Sequence, residues 1–354
     1  MLLIINTSNM QTTNLGVGLV LCLVSGFMLG AFALPQKRIK TWQWENYWAS
    51  FTLFSAFLFP LIVALITIPS FFGVLKQTPN SVLFQVFGFG TAWGVANIGY
   101  GISIKKLGMA MALALVLGIN NAVGTILPIV VYQPDKLFQP VGLWIITGIL
   151  IMLAGIVLCS IAGKVREKEQ GNITTNKVST TGKSSFTAGL IIAIAAGALA
   201  ASFNFALVSG KPIETIAISN GTNPANAANA TWVVGLSGGF LVTLLYCIYL
   251  WYKNKTFSLF ISKGSTIGWT MTALMGLLWF GGVMLYGTSV GKLGVLGSSL
   301  GWPIIQSMSI GSGNVLGILS GEFTGAKKSL RIMYAALLML FVGIVCIGYA
   351  GSIQ

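Results

Sequence analysis

Apolar residues fall in blocks about as long as a bilayer is thick. A helix rises 1.5 Å per residue, so a hydrocarbon core of about 30 Å needs about 20 mostly apolar residues. Runs of this kind occupy residues 14–34, 46–68, 82–104, 108–131, 141–163, 186–208, 231–252, 268–290, 294–318 and 332–351. The pattern predicts an all-α polytopic membrane protein of about ten transmembrane helices. Two separations are brief: Lys105-Lys106-Leu107-Gly108 and Lys292-Leu293-Gly294. Residues 1–13 read as a short polar tail. The first positive charge is Lys37, so a cleaved signal peptide with a cationic start is not expected.

The polar connections alternate in charge. The odd-numbered ones hold 16 Lys and Arg residues, among them Lys37, Arg38, Lys106, Lys164, Arg166 and Lys328. The even-numbered ones hold 4: Lys76, Lys136, Lys211 and Lys292. The positive-inside rule puts the odd connections in the cytoplasm and both termini outside a bacterial inner membrane. The longest cytoplasmic connection, 164–185, divides the chain into halves 1–163 and 186–354 of five helices each. The longest outer connection, 209–230, is rich in Asn and Ala and reads as a solvated loop with room for a short helix.

Composition narrows the function. Of 354 residues 55% are hydrophobic and 7% charged, and the mean hydropathy is +0.86. A soluble domain carries about 25% charged residues. The net charge of +14 invites a nucleic-acid reading. It fails, because the cations sit in short clusters between apolar runs and form no basic face. Cys22, Cys159, Cys247 and Cys346 each lie inside an apolar run without metal-ligand spacing. There is no His. No metal or cofactor is expected, and an intramembrane enzyme would have little chemistry to work with.

The halves echo each other. Trp93, Tyr100-Gly101 and Lys106-Leu107-Gly108 match Trp279, Tyr286-Gly287 and Lys292-Leu293-Gly294 at a constant offset of 186 positions. Phe32-Ala33-Leu34 and Phe205-Ala206-Leu207 are a weaker echo. An odd number of helices separates the copies, so the first ends inside and the second outside. This predicts two inverted five-helix repeats, an architecture of secondary transporters in which solute binds between the repeats near the midplane.

The segment AFALPQKRIKTWQWE over residues 31–45 resembles the first cytoplasmic loop of the L-rhamnose–proton symporter family. FGTAWGVANIGYG over 89–101, Lys106-Leu107-Gly108-Met109 and Gly124-Thr125 resemble it too. The resemblance is clear over about 14–130 and thinner beyond. It implies membership of the drug/metabolite transporter superfamily, with ten helices as two inverted repeats, and import of L-rhamnose with a proton.

Trp93, Asn97 and Tyr100 share one helix face at i, i+4 and i+7. Aromatic planes with an amide between them suit a neutral sugar, whose C–H face stacks and whose hydroxyls bond. Trp279 and Tyr286 are the matching pair. Tyr100 lies near a span end, where an interfacial aromatic belt is the rival reading. Asn120, Asn121, Asn204, Gln306 and Asn314 are mid-span amides that either contact hydroxyls or tie helices together. Trp302-Pro303 is a candidate kink. Of six acids none lies mid-span. Proton coupling therefore falls to Glu45 or Glu214 near a gate, or to another ion, or is absent in a facilitator. An exporter of the same superfamily is the other transport reading.

Overall fold

The computed structural model describes residues 14–107, 109–132, 134–170, 183–294 and 297–353. The N-terminal tail, Gly108 of the first repeated motif and linker residues 171–182, with Lys177, lie outside the described residues. Among the described residues there is no strand. Eight helical stretches among the described residues are long and apolar enough to cross a membrane. The chain is a multi-pass membrane protein. Its outward side chains fit lipid: Phe84 is 75% exposed, Phe341 63% and Leu150 62%.

Helix α1 (Leu15–Ala31) starts at Asn14, whose side chain accepts from Val17 N at 3.1 Å, and gives way to a short turn of helix containing Pro35. The second run is not one regular helix. It is α2 (Trp44–Leu53), a π segment (Phe54–Leu58) and α3 (Phe59–Thr67). Pro60 has no N–H to offer one turn back, and Phe59 N–H reaches five residues back to the Phe54 carbonyl. Short α4 (Phe71–Gln77) precedes α5 (Asn80–Leu107) and α6 (Met109–Tyr132), which a single residue separates. Helix α7 (Pro140–Glu169) follows and runs six residues beyond the apolar stretch. The sixth run is α8 (Lys183–Ala200) and α9 (Ser202–Ser209). Helices α11 (Ala228–Asn254), α12 (Ser265–Lys292), α13 (Gly297–Leu319) and α14 (Lys327–Ser352) complete the chain.

The connection 209–230 contains the short helix its sequence left room for, and that helix is buried rather than solvated. Lys211–Ser219 form a helix, α10, which packs on α4 and α11. Ile213 and Ala217, one turn apart, are fully buried in a cluster with Phe71 and Val74, which pulls the segment out of solvent.

Small residues set the helix pairs. Helix α7 runs along α14, where a Cβ on Gly343 would stand 3.0 Å from the Gly148 carbonyl. Helix α1 packs on α12 and α13, and α8 packs on α5 and α6. Helix α5 also lies against α11, α2 against α12, and α6 against α13.

Candidate functional site

At the centre of these crossings stands an aromatic cluster. The rings of Trp93 on α5 and Trp279 on α12 stack at 5.6 Å between centroids, 28° apart. Phe203 on α9 touches both, at 5.2 and 5.9 Å. Phe203 also stacks on Trp232 of α11 at 5.0 Å and meets Trp302 of α13 at 5.9 Å. Tyr286 closes the ring, 5.9 Å from Trp302 and 6.4 Å from Trp232. Trp232, Tyr286 and Trp302 are buried, whereas Trp93 and Trp279 are only partly so. The two repeat-matched tryptophans therefore keep free surface for an apolar face of a ligand.

Asn204 ties this cluster to α6 and α12. Helix α6 contains Pro128, which has no N–H, so the Gly124 carbonyl one turn earlier loses its helical donor. Asn204 Nδ2 replaces that donor at 2.8 Å, and the Tyr286 hydroxyl donates to Asn204 Oδ1. Trp302 Nε1 donates to the Asn120 carbonyl at 3.3 Å. A Cβ on Gly124 would stand 2.7 Å from Cδ1 of Trp302, so the indole needs this glycine to lie flat on α6. Asn204 is thus the tie between helices. Asn314 bonds only its own helix, at the Ile310 carbonyl, 2.8 Å away.

The other amides are unpartnered. Asn121 is wholly buried with both side-chain polar atoms unbonded, and Asn120 Oδ1 is unbonded too. Ser307 Oγ, 186 positions after Asn121, is likewise buried and unbonded, as is Trp232 Nε1. Asn97 and Gln306 are half-buried and make no side-chain hydrogen bond among the described residues. A buried amide without a partner costs about 1–3 kcal/mol, which a ligand hydroxyl would recover. Tyr100 stands apart. It packs against Val116, Ala193 and Ala196 of α6 and α8 and does not reach the tryptophan stack.

The two acids have different surroundings. Glu45 Oε1 accepts from Asn254 Nδ2 at 2.9 Å and Thr256 Oγ1 at 2.8 Å, pinning the start of α2 to the end of α11. Glu214, 7% exposed on α10, takes Lys211 Nζ at 2.7 Å on Oε2 and leaves Oε1 buried and unbonded. A third acid, Glu322 in the α13–α14 turn, holds Lys37 at 2.5 Å and Arg166 at 3.0 Å. The Lys37 hydrogen bond, with the Lys37 and Arg166 charges, outweighs burial and keeps its carboxyl below the usual glutamate range. Glu322 therefore stays ionised near neutrality. Its link adds stability above the ordinary glutamate pKa of about 4.3, lost as pH falls through the lowered folded value. Glu322→Gln should flatten the acid limb of thermal stability in detergent below about pH 4.5, an unchanged limb counting against the link. The side chain is 38% exposed, so the effect at neutral pH is small.

The Asn204 tie gives a sharper test. Asn204→Leu strands the Gly124 carbonyl and the Tyr286 hydroxyl, at about 1–3 kcal/mol each. Pro128→Ala restores a helical donor to Gly124, so the double variant should regain part of the melting temperature. Strictly additive losses would contradict the pairing.

Sequence reasoning missed Phe203, Trp232 and Ser307. Trp232 carried no distinguishing signal, since a tryptophan at the start of a span reads equally as an interfacial belt residue. Ser307 is found by carrying the 186-residue offset on from Asn121.

An all-helical fold with lipid-fitting flanks around an aromatic and amide cluster defines a multi-pass membrane protein. The profile of the L-rhamnose-proton symport proteins matches residues 11–352, and the chain belongs to that family. It is similar to the L-rhamnose-proton symporter of Citrobacter koseri, 27% identical over 344 residues covering 94% of this chain and 98% of the relative. The L-rhamnose-proton symporter of Yersinia pestis strain Pestoides F is also 27% identical, over 340 residues covering 94% and 97%.

Proposed function

We propose that this chain imports L-rhamnose, or a closely related neutral deoxyhexose, together with a proton across the inner membrane by alternating access. In this reading ten helices form two inverted repeats, 1–163 and 186–354, joined by a cytoplasmic linker at 164–185, with both termini outside. The observation that carries it is the Trp93–Trp279 stack, because residues related by a constant offset meet at the centre of the molecule. The helix pairs support it as well. Helix α1 on α12 and α13 in one sense corresponds to α8 on α5 and α6 in the other. The repeated leucines agree: a Cβ on Gly18 would stand 2.8 Å from Leu293, and one on Gly189 2.9 Å from Leu107.

The sugar lies against Trp93 and Trp279, with Asn97, Asn120, Asn121 and Gln306 taking hydroxyls and Asn204 and Tyr286 holding the wall. Tyr100 lies outside this seat, toward the end of α5. The six-deoxy methyl suits an aromatic wall, and the unpartnered amides suit a neutral polyol better than an ion. Of the two proton candidates Glu214 fits better, because its Oε1 is buried with no donor, whereas Glu45 Oε1 is doubly bonded.

Labelled L-rhamnose given to cells expressing the protein should enter while the medium alkalinises. Entry without alkalinisation would remove the proton from the reading, and entry of unrelated sugars at equal rates would remove the deoxyhexose. Glu214→Gln should uncouple the two, letting sugar equilibrate without accumulating.

A further inference from the structure

A cavity of about 320 Å³ lies between α6, α7, α13 and α14, away from the aromatic cluster and beside the Lys37–Glu322–Arg166 ion pairs. None of the central residues lines it. Two helix faces nevertheless lead to it from the centre. On α6 the cavity begins at Leu117, one turn from Asn121. On α13 Ser309, Ile310 and Gly313 line it, three, four and seven residues beyond Gln306 and so on the same stripe.

The walls are amphipathic, with three charged side chains, Lys164, Arg166 and Glu322, among the lining. Apolar surface comes from Ile156, Phe323 and Met333, and polar surface from Ser160, Ser309 and Asn314. Asn314 spends one N–H on the Ile310 carbonyl, and no bond to its Oδ1 is made within the described residues. Two of these charges, Arg166 and Glu322, are paired with each other, and Lys164 is left to offer its ammonium to a hydroxyl. Glu322 is shared by Lys37 and Arg166, and the Arg166 guanidinium also lies 5.0 Å over the Phe323 ring. A volume above about 300 Å³ with apolar walls and a few placed polar groups is of small-ligand size.

We infer that this cavity is a second sugar station, separate from the central seat, on the route to the face that carries Arg166 and Glu322. It holds a neutral monosaccharide by hydrogen bonds to Asn314 and Ser309 and by apolar contact with Ile156 and Phe323. The identity of the sugar rests on the function proposed above; the cavity does not.

The protein carries its own reporter. Cys159 lines the cavity and is 9% exposed, and Cys346, also 9% exposed, lies outside it. Wild-type protein in detergent is treated with a methanethiosulfonate ethylammonium reagent, and labelling at each cysteine is followed by peptide mass spectrometry. L-rhamnose at ten times its Kd should slow labelling of Cys159 about tenfold and leave Cys346 unchanged. The same protection should persist in Trp93→Ala, since this station does not use Trp93, and should disappear in Asn314→Leu. Should Asn314→Leu not fold, Ser309→Ala removes one hydroxyl and should weaken the protection.

Four results overturn the station: no labelling of Cys159, no protection by sugar, equal slowing at Cys346, or protection that vanishes with Trp93. Uptake unimpaired in Trp93→Ala would instead sink the central seat and leave this station standing.

Discussion

Trp93→Ala should weaken L-rhamnose uptake by about thirtyfold or more in apparent affinity, with the protein still folded. Truncating an aromatic anchor at a binding centre costs about 2 kcal/mol or more, and about 1.4 kcal/mol is tenfold in affinity. The indole here has two neighbours to lose, the Trp279 ring at 5.6 Å and Phe203 at 5.2 Å, besides any sugar on its free face. Trp279→Ala should behave alike, because the two rings are related by the repeat and rest on each other. The pair should also be non-additive. An aromatic contact is worth about 0.5–1.5 kcal/mol beyond its buried area, so the double variant should fall short of the summed single losses by that amount. Trp93→Phe keeps a plane and should lie between. Trp302→Ala is the contrast: Trp302 is 3% exposed and holds α6, so its loss should appear first as a lower melting temperature. Normal uptake kinetics in Trp93→Ala at normal expression would remove the sugar from this seat.

Much of the architecture is legible in the sequence, because lipid imposes a single rule: backbone groups must be paired within the segment, and side chains must be apolar over about 20 residues. That rule finds α1, α5, α6, α11, α12 and α13 within three residues of their ends, and α7 and α14 within six. It does not see inside a span. The π segment before Pro60 and the break at Ala201 leave the hydropathy of their runs untouched. Nor does composition separate a solvated loop from α10, where two residues, Ile213 and Ala217, decide burial. In the site, the offset of 186 picks out Trp93, Trp279 and Tyr286 because a repeat is a one-dimensional property. Asn204 needs a three-dimensional fact: a proline on another helix leaves a carbonyl without its donor, and only the fold says which amide is near enough to supply one. Asn121 and Asn204 look alike as letters, yet one is bonded twice and the other not at all.

The largest stability effect is expected where α5 crosses α11. Gly90 and Gly94 on α5 face Gly235 and Gly239 on α11, two G-x-x-x-G stretches against each other. Where small residues replace side chains, helix backbones in a membrane approach closely and gain dispersion contacts along the seam. At Gly90 the approach leaves no room for a methyl. A Cβ there would stand 2.6 Å from the Gly235 carbonyl carbon and closer still to its oxygen. The obstacle is backbone, which cannot rotate aside as a side chain would. Gly90→Val should therefore force the helices apart and cost more than the roughly 1–3 kcal/mol of ordinary overpacking, leaving little monodisperse protein on size exclusion. Gly94→Ala meets Gly239 Cα at 3.0 Å and should be milder. Gly88→Ala is the control. Nothing lies within 4 Å of its Cβ, and it should stabilise α5 by up to about 1 kcal/mol through helix propensity. The seam also bears on transport, because a Cβ on Gly239 would stand 2.6 Å from Cε3 of Trp93. Gly239→Ala should thus tilt the indole and impair uptake beyond its cost in stability. In the proposed two-repeat reading α5 belongs to one half and α11 to the other, so rocking of the halves would turn about this seam. Folded, fully active Gly90→Val would show that the two backbones are not held at this distance.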